Sequence, residues 1–446
     1  MILLWTDALI LLLLLTSIGI AFYLHDKEHI QRPLNKIAHS KVGMVSLVVL
    51  MFFLLVGLLD SIHFKSNQDN SNEIISLLDY CVTPLREHNE KTYSAPFATT
   101  LYSKEMIAKD GSMQWDYPRL VHGGKHLASP EEERIPDLLQ KAAIGFLQGL
   151  ALFAALMLLC VGITYFMNGA APKFFAVRPV MVTLFIIIVL SAMLGYLSLY
   201  YHVLGTDKVG EDVFYQAIKS IRTGLVIGTL TTLIMLPLAI LFGILAGFFR
   251  GWVDDVIQYL YTTLNSIPGV LLIAASVLMV QVYMANHEAE FTSVIVRADM
   301  RLLFLCMILG VTSWTGLCRL LRAETLKLRE MEYVLAAQAL GVKQHAILLR
   351  HILPNVMHIV LISVVLDFSS LVLAEAVLSY INIGVDPTTY SWGNMINGAR
   401  LEMAREPIVW WSLTAAFVFM FALVLAANLF ADVVQDAFDP RRAQND

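Results

Sequence analysis

Nine mostly apolar stretches alternate with polar ones along this chain, at about 2–24, 43–63, 142–167, 179–204, 220–249, 257–284, 301–321, 356–381 and 408–431. Each is long enough to cross about 30 Å of hydrocarbon as a helix. Helices and closed barrels are the structures that satisfy their own backbone groups there. The pattern therefore predicts nine membrane-spanning helices. The first turns of the fifth, Gln216 to Arg222, read as an amphipathic lead-in, and Pro237, Gly243 and Gly247 should kink or thin it. Two polar stretches stand out. Residues 64–141 mix Asn, Ser, Glu and Lys with Tyr80, Tyr93, Phe97, Tyr102, Trp115 and Tyr117, enough aromatics for a small folded cap. Residues 330–355 are too polar to span and too helical for a plain loop. They predict a helix, a left-handed stop at Gly341, a second helix from Lys343 to Ile352 and a stop before Pro354.

Composition agrees with a membrane protein. Of 446 residues 57% are hydrophobic and 15% charged, and the mean hydropathy is +0.67; soluble domains carry about 25% charged residues. The net charge of −5 says little, but the placement of Lys and Arg says more. Lys27, Arg32, Lys36 and Lys41, then Lys173 and Arg178, then Arg322, Lys327, Arg329, Lys343 and Arg350, then Arg441 and Arg442 all fall on one side of nine spans. That side is the cytoplasm, with the N-terminus outside and the C-terminus inside. Arg297, Arg301, Arg400 and Arg405 count against this more weakly. The first stretch lacks the basic flank of a signal peptide and reads as a retained helix. Cys81, Cys160, Cys306 and Cys318 form no C-x-x-C pair, so neither a metal site nor a disulfide framework is expected. Gly123-Gly124-Lys125 is not a phosphate loop, because Arg119 and His126 stand where Gly and Ser/Thr are required. His122 and His126 read as loop residues. No catalytic constellation is present, no cofactor is expected on this chain, and a nucleic-acid partner is not expected.

Within 330–355, Glu330 and Glu332 are placed in a helix first turn, where acids suit the positive end of the dipole. Val334, Ala337 and Gln338 share a face. Physics alone reads this equally well as a helical turn without a partner. The residues say more. Tyr333 to Gly341 followed by Arg350 to Asn355 resembles the cytoplasmic coupling loop of binding-protein-dependent ABC transporter permeases, matching at Ala336, Ala337, Gly341, Leu353 and Pro354. Leu335 replaces the motif's Glu, and His351 the usual Ile. Leu204-Gly205-Thr206-Asp207 with Gly210, Asp212, Val213 and Phe214 resembles a segment of peptide and nickel permeases, with Glu211 in place of Arg. Ala246 to Asp254, Ser266-Ile267-Pro268, Glu375 to Gly384, Trp392-Gly393 with Met395, and Asp436 to Arg441 resemble further motifs of the dipeptide, oligopeptide and nickel type, C-type subunit.

The resemblance implies an all-α polytopic protein: a type I ABC importer core of six helices (residues 179–446) preceded by an extension, 1–178, with three more helices. It implies a coupling surface at Glu332, Tyr333, Val334, Ala336, Ala337, Gly341, Leu353 and Pro354. It implies a second permease subunit, two ATPase subunits that hydrolyse the ATP, a periplasmic binding protein, a peptide cargo and an inner-membrane location. Nickel or another small solute is the alternative cargo. An ATP-independent secondary transporter is a further rival, though no repeated halves are seen. Asp367 and Glu375 fall inside the eighth span, where ionisable groups are costly. They read either as lining the translocation path or as bonded to neighbouring helices.

Overall fold

The computed structural model describes residues 4–24, 28–65, 74–109, 112–168, 178–287 and 293–438. Lys27, Lys173, Arg441 and Arg442 of the charge pattern, and the Asp439-Pro440-Arg441 end of the last motif, lie outside these residues. In chain order the elements are α1 (Trp5–Leu24), α2 (Glu28–His39), α3 (Lys41–Asp60), β1 (His63–Lys65), β2 (Ile74–Ser76), α4 (Leu77–Cys81), α5 (Thr83–Glu87), β3 (Glu105–Lys109), β4 (Ser112–Asp116), α6 (Pro130–Asn168), α7 (Arg178–Leu197), α8 (Val213–Phe249), α9 (Trp252–Ser266), α10 (Gly269–Asn286), α11 (Val294–Ser313), α12 (Thr315–Arg329), α13 (Glu332–Ala339), α14 (Gln344–Ile347), α15 (Leu353–Tyr380), α16 (Trp392–Glu402) and α17 (Trp411–Phe438). A π-helical turn, Leu348–Ile352, joins α14 to α15. Among the described residues, the strands form two antiparallel hairpins, β1–β2 and β3–β4.

Seven helices among the described residues are long and apolar enough to cross a membrane. The other two expected spans correspond to α1, whose qualifying apolar piece is the shorter Trp5–Ser17, and α11, which carries Arg297, Asp299 and Arg301. Several spans depart from their expected bounds. The stretch 257–284 is two helices, because Pro268 has no N–H to donate and Ile267 before it is extended. The stretch expected at 301–321 forms a helix over Val294–Ser313, and two of its charges, Asp299 and Arg301, have partners. Arg301 reaches Asp386 at 3.4 Å. Asp299 Oδ2 accepts the backbone N–H groups of Trp5 and Thr6 at 3.0 and 3.3 Å, and the Thr6 hydroxyl bonds the same carboxylate. A buried acid thus caps the otherwise unsatisfied N-terminus of α1. The eighth span begins at Gln344, not near 356, so Pro354 does not stop the preceding helix. The ladder widens into the π-turn just before the residue that lacks an N–H, and the helix runs on.

The chain forms two compact units. One is built from His39–Arg222 and Tyr390–Leu423, the other from Leu3–Ala38, Thr223–Thr389 and Val424–Asp446. In the first unit the start of α8 is tied into the cap: Lys219 Nζ lies 2.6 Å from Asp60 and 2.9 Å from Asp79, and the Tyr215 hydroxyl donates to Asp79 at 2.7 Å. In the second unit α1 packs on α11, with Leu9 and Ile10 against the buried Val226, Leu302 and Leu305. Gly243 and Gly247 let α12 close on α8; a Cβ there would sit 2.7 Å from Leu321 and 2.6 Å from Thr325. Pro237 lies within α8 without ending it.

Candidate functional site

The bracket is built on α12, α13 and α14. Glu330 lies at the C-cap of α12 rather than in a first turn, and pairs with Arg250 at 2.6 Å. Glu332 is in the first turn of α13. At the other end Gly341 has φ +72°. Its N–H bonds the Gln338 carbonyl at 3.0 Å, and the Val342 N–H reaches back to Ala337 at 3.1 Å. These two bonds are the Schellman stop, which uses the last orphan carbonyls of the helix.

The helix so fixed has two sides. Val334 and Ala337 are buried and belong to one apolar cluster with Phe248, Leu317, Leu321, Ile347 and Ile352. Tyr333, Leu335, Ala336, Gln338 and Leu340 are exposed, Leu335 by 46% and Leu340 by 83%. Leu353 is half-buried and Pro354 exposed. Asn355 ties the second helix to the first, donating to the Tyr333 hydroxyl at 3.3 Å and to the His351 carbonyl at 2.6 Å. Beside α13 is an open cavity of about 310 Å³, lined by Phe248, Phe249, Arg329, Gln338, Val342 and Gln344. Arg329 is fixed there by a 2.7 Å bond to the Phe248 carbonyl. Arg322 holds α9 against α12 through two bonds to Asp254, 2.6 and 2.7 Å. A compact apolar knob is thereby mounted on the ends of several spans.

The two acids of the eighth span have different surroundings. Glu375 is 2% exposed and accepts the Ser379 hydroxyl at 2.6 Å. Gly384 packs directly on Ser379, closing the turn after α15. Asp367, two turns earlier, is half-buried, and its carboxylate has no hydrogen-bond or ion-pair partner among the described residues.

Residues 239–444 match the profile of the family described as the binding-protein-dependent transport system inner membrane component. The chain is similar to the dipeptide transport system permease protein DppC of Lactococcus lactis, 30% identical over 244 residues that make up 55% of this chain and 65% of that protein. It is also similar to the glutathione transport system permease protein GsiD of Pectobacterium atrosepticum, 30% identical over 54% of this chain and 73% of the relative. The chain belongs to this family. A third relative is the oligopeptide transport system permease protein OppC of Bacillus subtilis, 28% identical over 54% of this chain and 72% of its own length. The permease thus spans slightly less than two thirds of the first of these relatives and more of the other two. It is a multi-pass inner-membrane transport component.

The permease's Leu204–Phe214 segment holds a constellation that sequence reasoning missed. His202 Nδ1 donates to Asp212 at 2.7 Å, and its Nε2 faces Glu90 at 3.4 Å; all three side chains are buried. Glu90 also accepts the N–H groups of Val121, His122 and Gly123 at 2.8, 2.8 and 3.2 Å. Gly210, at φ +82°, packs on the Glu90 backbone so closely that no Cβ would fit. The His88 and His122 rings stack beside them, with centroids 4.6 Å apart. Burial alone would push His202 down, but the hydrogen bond to Asp212 and the charge of Glu90 push it up to about 9. Burial would raise Glu90, but His202 and the three N–H groups bring it down to about 2.

The His202 contribution is complete below its ordinary value of 6.5 and is lost as the pH rises through about 9. The Glu90 contribution is complete above 4.5 and is lost as the pH falls toward about 2. Limited proteolysis of the purified permease is expected to cut within 74–127 increasingly as the pH is raised through about 9. His202→Gln should remove that pH dependence. Protection that is unchanged on both sides of this pH would refute the clasp.

Proposed function

We propose that this permease is one of two membrane subunits of an ATP-driven importer for peptides. The observation that carries the reading is its likeness to dipeptide, glutathione and oligopeptide permeases, joined to a bracket with a buried root and an exposed apolar face. The bracket lies in the cytoplasm and the N-terminus in the periplasm, a reading supported by the Lys and Arg of the short loops. A periplasmic binding protein delivers the peptide, and two ATPase subunits grip this bracket and its counterpart on the second permease subunit.

The exposed side of α13, with Tyr333, Leu335, Ala336 and Leu340, meets the ATPase. Val334 and Ala337 face the permease's own core and carry the displacement into α8, α12 and α15. An ATPase that binds two bracket positions with different free energies shifts the equilibrium between two access states. Glu332 and Gly341 set the ends of the coupling helix, and Leu353 and Pro354 carry the motion into the eighth span. Asp367 lines the peptide path, where an unpartnered carboxylate attracts an ammonium group. Glu375 braces the turn that follows.

The test is the reconstituted complex in proteoliposomes with its binding protein. ATP-dependent uptake of a labelled dipeptide is expected, and Leu340→Cys should crosslink to an ATPase subunit. Asp367→Asn should lower uptake severalfold with the complex intact. Uptake of nickel ions and no peptide would overturn the cargo, and failure of every exposed bracket position to crosslink would overturn the docking.

A further inference from the structure

The hairpin β3–β4 is built inside out. Its register sets Met106 opposite Trp115 and Ala108 opposite Met113. Side chains alternate across a strand, so these four share one face with Tyr117. All five are exposed, with Met106 at 57%, Met113 at 68% and Trp115 at 66%. The opposite face carries Glu105, Ile107, Gln114 and Asp116. Of these Glu105, Ile107 and Asp116 are half-buried, and Glu105 is held by Lys91 at 2.6 Å. Gln114 is exposed, so the charged face is the more covered of the two and the uncharged, apolar face is the fully exposed one. A lone two-stranded hairpin is marginal in water, and one that offers its apolar face to water is more so.

The anchorage of the hairpin narrows what covers that face. Tyr102, just before β3, packs edge-on against Trp411 at 4.9 Å and donates its hydroxyl to the Ile408 carbonyl at 3.1 Å. Trp411 opens α17, a membrane-spanning helix, and Ile408 and Trp410 beside it are exposed. Trp and Tyr concentrate at membrane–water boundaries, so this end of α17 marks the level of the bilayer surface. Met106 is four residues from Tyr102, at most about 14 Å along an extended chain. Lys104 lies over the Tyr117 ring at 5.4 Å, a cation at the hairpin's base where lipid phosphates are met.

We propose that the face formed by Met106, Ala108, Met113, Trp115 and Tyr117 lies in the lipid interface of the leaflet at the N-terminal end of α17. The hairpin is then an in-plane anchor for the cap, sunk about 5–10 Å into the boundary between headgroups and acyl chains. Its composition suits that place, with a large amphipathic ring, two flexible Met side chains and no charge.

The test uses the full complex in vesicles of phosphatidylethanolamine and phosphatidylglycerol, with Cys81→Ser and Cys160→Ser removing the exposed native thiols. Nitroxides are placed one at a time at Met113→Cys and Met106→Cys on the apolar face and at Gln114→Cys on the opposite face. Power-saturation spectroscopy is expected to find the first two severalfold more accessible to oxygen than to a water-soluble nickel chelate, and Gln114→Cys the reverse. Equal chelate access on both faces overturns the proposal. So does protection that arises only when the binding protein is added, which would assign the face to a protein partner.

Discussion

Gly341→Val is expected to insert and assemble normally yet lose most ATP-driven uptake. The two halves of this expectation rest on different observations. Beyond the two adjacent residues nothing lies within 4 Å of where a Cβ would stand, so the substitution meets no neighbouring element and leaves the apolar cluster intact. The backbone, however, is at φ +72°, a conformation that is a genuine outlier for a β-branched residue. Strain of about 1–3 kcal/mol opposes the Schellman stop and so the angle between α13 and α14. A coupling loss of that size is about 5–150-fold. Gly341→Asn, which tolerates the left-handed region, should retain most uptake. The measurement is dipeptide uptake per ATP hydrolysed in proteoliposomes. Normal uptake by the valine variant would mean that bracket shape does not control coupling.

The same residue shows how far the sequence could be read. Gly341 was legible because a lone Gly between two helical patterns has few uses, and its stop is found where the pattern puts it. Pro354 misled, because a stop and a π-turn leave the same mark in a sequence; only the ladder before it distinguishes them. The seventh span starts earlier than its apolar stretch, at Val294, with Arg297, Asp299 and Arg301 inside the helix. Asp386 meets Arg301 and the N-terminus of α1 meets Asp299, and neither partner is near in sequence. On α13 a shared face was visible, but which way it points was not. Val334 and Ala337 turn inward, while Gln338, grouped with them by spacing, is exposed. The cap was legible only as aromatic-rich. Glu90 and His202 are brought together from opposite ends of the cap and α6–α7, and no local pattern announces that. Asp212 was read as a family motif residue without a role, and that role can now be tested.

Asp212→Ala is expected to be the most destabilising substitution in the outer part of the chain. The carboxylate does two things at once. Its Oδ1 accepts the N–H groups of Phe214 and Tyr215 at 2.8 and 3.2 Å, capping α8; loss of such a cap costs about 1 kcal/mol. Its Oδ2 holds His202 at 2.7 Å in a buried site. Removing one partner of a buried charge pair costs about 3–5 kcal/mol; Glu90 remains, at the longer distance of 3.4 Å, which moderates the loss. The permease should therefore melt several degrees lower, and the cap should be cut by protease at neutral pH as the wild type is above about 9. Asp212→Asn keeps an oxygen for the α8 cap but not the charge, so it should fall between the two. Glu87→Ala, at an exposed position in α5, should change neither readout. A melting point for Asp212→Ala equal to that of Glu87→Ala would refute this role of the buried His202–Asp212–Glu90 group.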